Sequence, residues 1–147
     1  MFKRIMLATD GSKLSHKAVK SAIEMATKFN AELVAVKVVP RYVQTYFEGL
    51  FTVADIDVKS IEAQWVAGAQ EVLNKVAEIA DAKGVKIKTS VIKSDDIADG
   101  LVKAAHKSKV DLIVMASHGR KGIKRMLLGS ETQNVLTHSS VPVLVLR

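Results

Sequence analysis

The chain has 147 residues, enough for one core domain, and its 48% hydrophobic and 25% charged residues are the balance of an ordinary globular protein. It has no cysteine, which excludes disulfides, thiolate catalysis and cysteine-ligated zinc and suits a reducing compartment. The net charge of +7 would suit a polyanion, but the lysines are scattered along helical stretches and no aromatics interleave with them, so nucleic acid is not the expected partner.

Strands and helices alternate along the chain. Ile5-Met6-Leu7-Ala8 is a short apolar run that ends in the turn cluster Thr9-Asp10-Gly11-Ser12. Ala18, Val19, Ala22, Ile23, Ala26 and Phe29 then recur at helical spacing. Leu33 to Val39 is a second apolar, β-branched run, stopped by Pro40. Pro40 to Asp55 shows no period and holds both tyrosines, Tyr42 and Tyr46, with Phe47 and Phe51. Such a segment is a lid, a partner surface, or a set of rings packed on the next helix. That helix is long. Its apolar stripe is expected to include Val58, Ile61, Trp65, Val66, Ala69, Val72, Leu73, Val76 and Ile79, and Gly84 suits a left-handed end.

Val85 to Ile92 alternates as a third strand. Ser94-Asp95-Asp96 opens the next helix, where acidic residues suit the dipole, and its buried stripe is expected at Ile97, Leu101, Val102 and Ala105. Leu112 to Met115 is a fourth strand. A glycine-containing loop and a short helix lead to a fifth, Val141 to Leu146. Strands apolar on both faces and separated by helices predict an α/β fold, a single-domain five-stranded parallel sheet with helices on both faces. Neither a linker nor an internal repeat divides the chain. No run approaches the roughly 20 apolar residues of a membrane span. The N-terminus lacks the apolar run of a signal peptide, so a cytoplasmic protein without a membrane partner is expected.

Ligands of open α/β sheets bind beyond the carboxyl ends of the strands, where the strand order reverses. That points to the loops after the first and fourth strands. In the second of these, Ala116-Ser117-His118-Gly119 is followed, after nine intervening residues, by Gly129-Ser130. Ser130-Glu131-Thr132-Gln133 fits a capping box, with Ser130 as cap and Gln133 reaching back. The unpaired amides of the following helical turn would suit phosphate. Each piece also has a plainer reading. Ser130 could be a helix cap, Gly119 and Gly129 turn residues, His118 a loop histidine, and Arg120, Lys121, Lys124 and Arg125 a solvated basic loop.

Three stretches together resemble the universal stress protein family over essentially the whole chain. They are Ile5 to Ser12, Asp111 to Arg120, and Leu127-Leu128-Gly129-Ser130 with Asn134-Val135 and Val141-Pro142-Val143. The ATP-binding branch of that family carries Gly, two residues, Gly, nine residues, Gly, then Ser or Thr. Gly119, Gly129 and Ser130 match, and Ala116 replaces the first glycine. The resemblance implies a Rossmann-like fold of the adenine nucleotide alpha hydrolase-like type. It implies a site in which Ala8, Thr9 and Asp10 line the ribose and phosphate side and Val38 meets adenine through its backbone. Met115, Ala116, Ser117, His118, Gly119, Arg120, Gly129, Ser130, Glu131 and Thr132 would lie around the phosphates. The implied ligand is ATP, or AMP, ADP or cAMP, with Mg²⁺ arriving on the phosphates. A homodimer through the strand Val141 to Leu146 is also implied. Neither a Walker loop nor a nucleophile and base pair stands out, so a regulatory ligand with at most slow hydrolysis is expected. The alternative is an interaction module of the same fold that binds no nucleotide.

Overall fold

Five strands form one parallel sheet in the order β3-β2-β1-β4-β5, in a computed structural model that describes residues 1–41, 58–119 and 128–147. In chain order the elements are β1 (Arg4–Ala8), α1 (Ser15–Phe29), β2 (Glu32–Val39), α2 (Val58–Ala82), β3 (Ile87–Lys93), α3 (Ile97–Lys107), β4 (Leu112–Ala116), α4 (Ser130–His138) and β5 (Val143–Leu146). The aromatic segment Tyr42 to Phe51 and the basic residues Arg120, Lys121, Lys124 and Arg125 lie outside the described residues.

The apolar runs are continuous because the central strands are covered on both faces. Ile5, Leu7, Leu33, Ala35 and Val114 pack under α1 and α2 with Ala18, Ala22, Leu73 and Val76. The alternate residues Met6, Ala8, Val34, Val36, Ile113 and Met115 pack under α3 and α4 with Ala98, Leu101 and Val135. The sheet grows from β1 to β2 and β3 on one side and restarts from β1 to β4 and β5 on the other. The reversal of order therefore falls between β1 and β4, whose carboxyl ends lie side by side.

Several boundaries differ from the sequence-based expectation, each for a local reason. The third strand begins at Ile87 rather than Val85, because the Val85 amide is still bonded to Ala80 O at 3.0 Å in the end of α2. Gly84 makes that end possible at φ +71°. The last strand begins at Val143 rather than Val141. The Val141 amide is taken by Ser139 Oγ at 3.0 Å, and Pro142 contributes only its carbonyl, to Ile113 N at 2.9 Å. On α2 the buried stripe is Ala69, Leu73, Val76 and Ala80, while Trp65 and Ile79 are 40% and 50% exposed. On α3 it is Ala98, Leu101 and Ala105, with Ile97 42% exposed and Asp96 capping the helix from its side chain. Apolar period alone overestimates the stripe, because one sheet face covers only part of a helix's circumference.

Candidate functional site

Two loops leave the sheet at the order reversal and meet there. The first follows β1. The Thr9 amide makes the last bond to β2, at Val36 O, and the chain then turns away. The turn is held by its own side chains. Gly11 N donates to Thr9 Oγ1 at 3.2 Å, and Ser12 N donates to Asp10 Oδ1 at 2.9 Å. Thr9 Oγ1 donates to Ser15 Oγ, which donates in turn to Ser12 O. Gly11 sits at φ +79°, and a Cβ there would lie 2.9 Å from Val72 of α2. Both conformation and space therefore require glycine.

The second loop follows β4. Ala8, Met115 and Ala116 form the buried floor where β1 and β4 end. Ala116 pairs with Leu146 of β5, and its methyl packs into the core on the α1 side. The positive-φ residues among the described non-glycines are Asn30 and Lys109, so Ala116 sits in ordinary strand backbone that alanine fits. Ser117, 2% exposed, donates its amide to Leu146 O and pairs its hydroxyl with His118 Nδ1 at 3.0 Å. The ends of the excursion 118–128 are joined: Gly129 N donates to Ser117 O at 2.8 Å. Thr132, 2% exposed, directs its hydroxyl to both Ala116 O and Ser117 O at 3.1 Å.

These bonds change the roles expected for four residues. The cap of α4 is Gly129, extended at φ −69°, with no side-chain cap bond. Ser130 is the first helical residue, so the capping box does not form. Its hydroxyl stands one position too far into the helix to accept from the amide of the second or third helical residue, as a cap does. Gly119 and Gly129 are absent from the positive-φ glycines, so neither serves a left-handed turn. They serve close approach: a Cβ on Gly119 would lie 3.0 Å from Asp10 Oδ2, and one on Gly129 3.1 Å from Ser117 O. Thr132 expends its side chain on the loop root, leaving its amide as the group that can face a ligand.

The remaining groups surround the junction. Val38 lies two residues past the last β1–β2 pair, Ala8 with Val36, so β1 no longer pairs with it on that side while its other side pairs with Ile92. The amides of Ser130, Glu131 and Thr132 have no partner within the helix, and the intrahelical ladder begins with Gln133 N on Gly129 O. Arg120, also expected near the phosphates, lies outside the described residues. Among the described residues no group of three or more His, Asp or Glu could hold a metal ion. Asp10 is a single carboxylate beside an anion-ready helix start, a donor set that suits Mg²⁺ only when phosphates complete its shell.

A family model described as "Universal stress protein family" matches residues 1–147. The chain belongs to the universal stress protein family. Among its relatives in that family, the universal stress protein MJ0531 of Methanocaldococcus jannaschii is 38% identical over 147 residues, covering 100% of this chain and 83% of the relative. The solved structure of MJ0577, from the same organism, superposes with a TM-score of 0.84 at 26% identity, over 99% of this chain and 96% of the other. A universal stress protein solved in complex with cAMP superposes with a TM-score of 0.72 at 27% identity, over 99% and 97%. The five-stranded parallel sheet is thus the Rossmann-like fold of this family. Among the described residues no helix is long and apolar enough to cross a membrane.

Sequence reasoning missed one residue at this junction. Lys37 Nζ donates to Asp10 O at 3.1 Å. Its signal was present: a single lysine inside the apolar run Leu33 to Val39 of an interior strand.

Proposed function

We propose that this universal stress protein binds an adenine nucleotide as a regulatory ligand at the junction of the β1 and β4 loops. The observation that carries the reading is the meeting of Gly119 with the Asp10 carboxylate, beside the unpaired amides that open α4. Phosphate would sit on the amides of Ser130 to Thr132, where the helix dipole favours an anion. The Asp10 carboxylate would repel phosphate directly. It therefore suits the ribose hydroxyls or a Mg²⁺ ion carried by the phosphates. The backbone of Val38, beyond the last β1–β2 pair, would meet the base. The similar family member solved with cAMP supports an adenine ligand. Ala116 is compatible with it, because its methyl points into the core.

Hydrolysis is at most slow in this reading, since Ser117 is buried and its hydroxyl is engaged with His118. Its setting is the cytoplasm. The protein acts as a homodimer through β5, an edge strand whose four residues are all half-buried in the single chain.

Calorimetric titration with ATP, ADP, AMP and cAMP, with and without Mg²⁺, tests the ligand. Ligand at about 100 times its dissociation constant adds roughly 2.7 kcal/mol of stability. Neither heat nor a melting shift at millimolar concentration of any of the four would overturn the reading. Sedimentation tests the dimer, and a monomer at all concentrations would refute it.

A further inference from the structure

Lys37 stands where an apolar parallel strand has no structural need of a charge. Its strand is interior, and its neighbours on the same face, Leu33 and Ala35, are fully buried in the core. A lysine at such a place is retained when its ammonium has a partner. The partner is the carbonyl of Asp10, at 3.1 Å. The Thr9 amide makes the last backbone bond to β2, and the Lys37 ammonium takes up the carbonyl of the next residue, just beyond the ladder.

This bond sets the direction of one peptide plane. With Asp10 O drawn toward β2, the amide on the other side of that plane, Gly11 N, points away and meets Thr9 Oγ1. Gly11 then takes its left-handed conformation against Val72, and the turn returns Ser12 N to Asp10 Oδ1. The carboxylate held in this way is the one against Gly119. A cation thus stands behind the residue whose negative charge faces the site.

We propose that Lys37 is a positioning residue of the nucleotide site: it orients the Asp10–Gly11 peptide, and with it the Asp10 carboxylate, and it supplies a fixed positive charge beneath the phosphate end. The proposal rests on the nucleotide reading for its ligand but not for its geometry. Losing the ammonium loosens the turn and removes one positive charge from behind Asp10, which penalises the more highly charged ligand more.

The test compares wild type with Lys37→Met. Without nucleotide, hydrogen exchange at the Gly11 and Ser12 amides accelerates about ten-fold, while Ile113 and Val114 in β4 are unchanged. With nucleotide, ATP affinity falls about ten-fold and the ratio of ATP to AMP affinity falls with it, a change that loss of packing alone would not produce. Unchanged exchange at Gly11 and Ser12, or equal acceleration in β4, overturns the positioning role. Local acceleration with an unaltered ATP to AMP ratio overturns the electrostatic role. Wild type that binds no nucleotide refutes the functional reading, and the exchange data then decide the peptide orientation alone.

Discussion

The amide of Gly129 donates to the carbonyl of Ser117 across 2.8 Å, so the chain leaves the end of β4 and returns to it at one point. Thr132 Oγ1 reinforces the joint by reaching both Ala116 O and Ser117 O. The first turn of α4 is therefore anchored to the sheet rather than to its own cap.

Replacing Thr132 by Val keeps the shape and removes the hydroxyl. Buried carbonyls lose a donor, and stability falls by about 1–3 kcal/mol in urea unfolding. Nucleotide affinity falls as well, because the amides of α4 lose their anchor. The contrasting variant Ser130→Ala, which removes no cap bond, leaves stability within about 0.5 kcal/mol.

Ala116→Gly supplies the glycine expected at this position from the ATP-binding pattern Gly, two residues, Gly, nine residues, Gly. The methyl lies in the core and the backbone has no positive φ, so glycine gains nothing in conformation. We expect a loss of about 1 kcal/mol in stability and no gain in ATP affinity by calorimetry. A clear gain would show that the methyl obstructs the ligand.

Gly11→Ala meets both a left-handed backbone and Val72. The conformational penalty and the contact together cost about 2 kcal/mol or more in denaturant unfolding. The additional variant Val72→Ala relieves the contact but not the backbone, so the double mutant recovers only the steric share.

Glu32 lies at the far end of the sheet from the site. It pairs with Lys88 at 2.8 Å and Arg4 Nε at 3.0 Å, and the Lys88 ammonium, then Arg4, hold its carboxyl below the ordinary value against the opposing effect of burial. A lowered folded-state pKa means that the unfolded chain takes up the proton first. The contribution is therefore complete above about pH 5 and is lost as pH falls through the carboxylate range. Urea unfolding of wild type and Glu32→Gln between pH 7 and pH 3 checks this. The stability gap between them narrows as pH falls, and a constant gap would show that the pair is energetically silent.

Much of the fold was legible in the chain because apolar runs and turn residues are local signals. The alternation of strands and helices, the parallel sheet and the loops after β1 and β4 follow from them. So does the left-handed end at Gly84. The limits of α2 burial, at Trp65 and Ile79, were not legible, because the period of a helix does not state how wide a face the sheet will cover. The motif Gly119, Gly129, Ser130 flagged by its spacing two glycines that the fold brings against Asp10 and Ser117. Its local mechanism was misread, because a serine before an acidic turn is a cap only if it stands one residue outside the helix.

The sequence by itself determined which segments would bury their apolar faces and where the glycines had to lie, since both depend on residues near one another in the chain. Only the tertiary structure decided what those glycines are for. Gly119 is small because Asp10, 109 positions earlier by number, comes against it, and Gly129 is small because Ser117 does. Lys37 and Asp10 meet for the same reason: parallel strands joined by long crossovers bring distant residues to one sheet edge. Such contacts leave no periodic trace in the chain, because what sets them is the order of the strands.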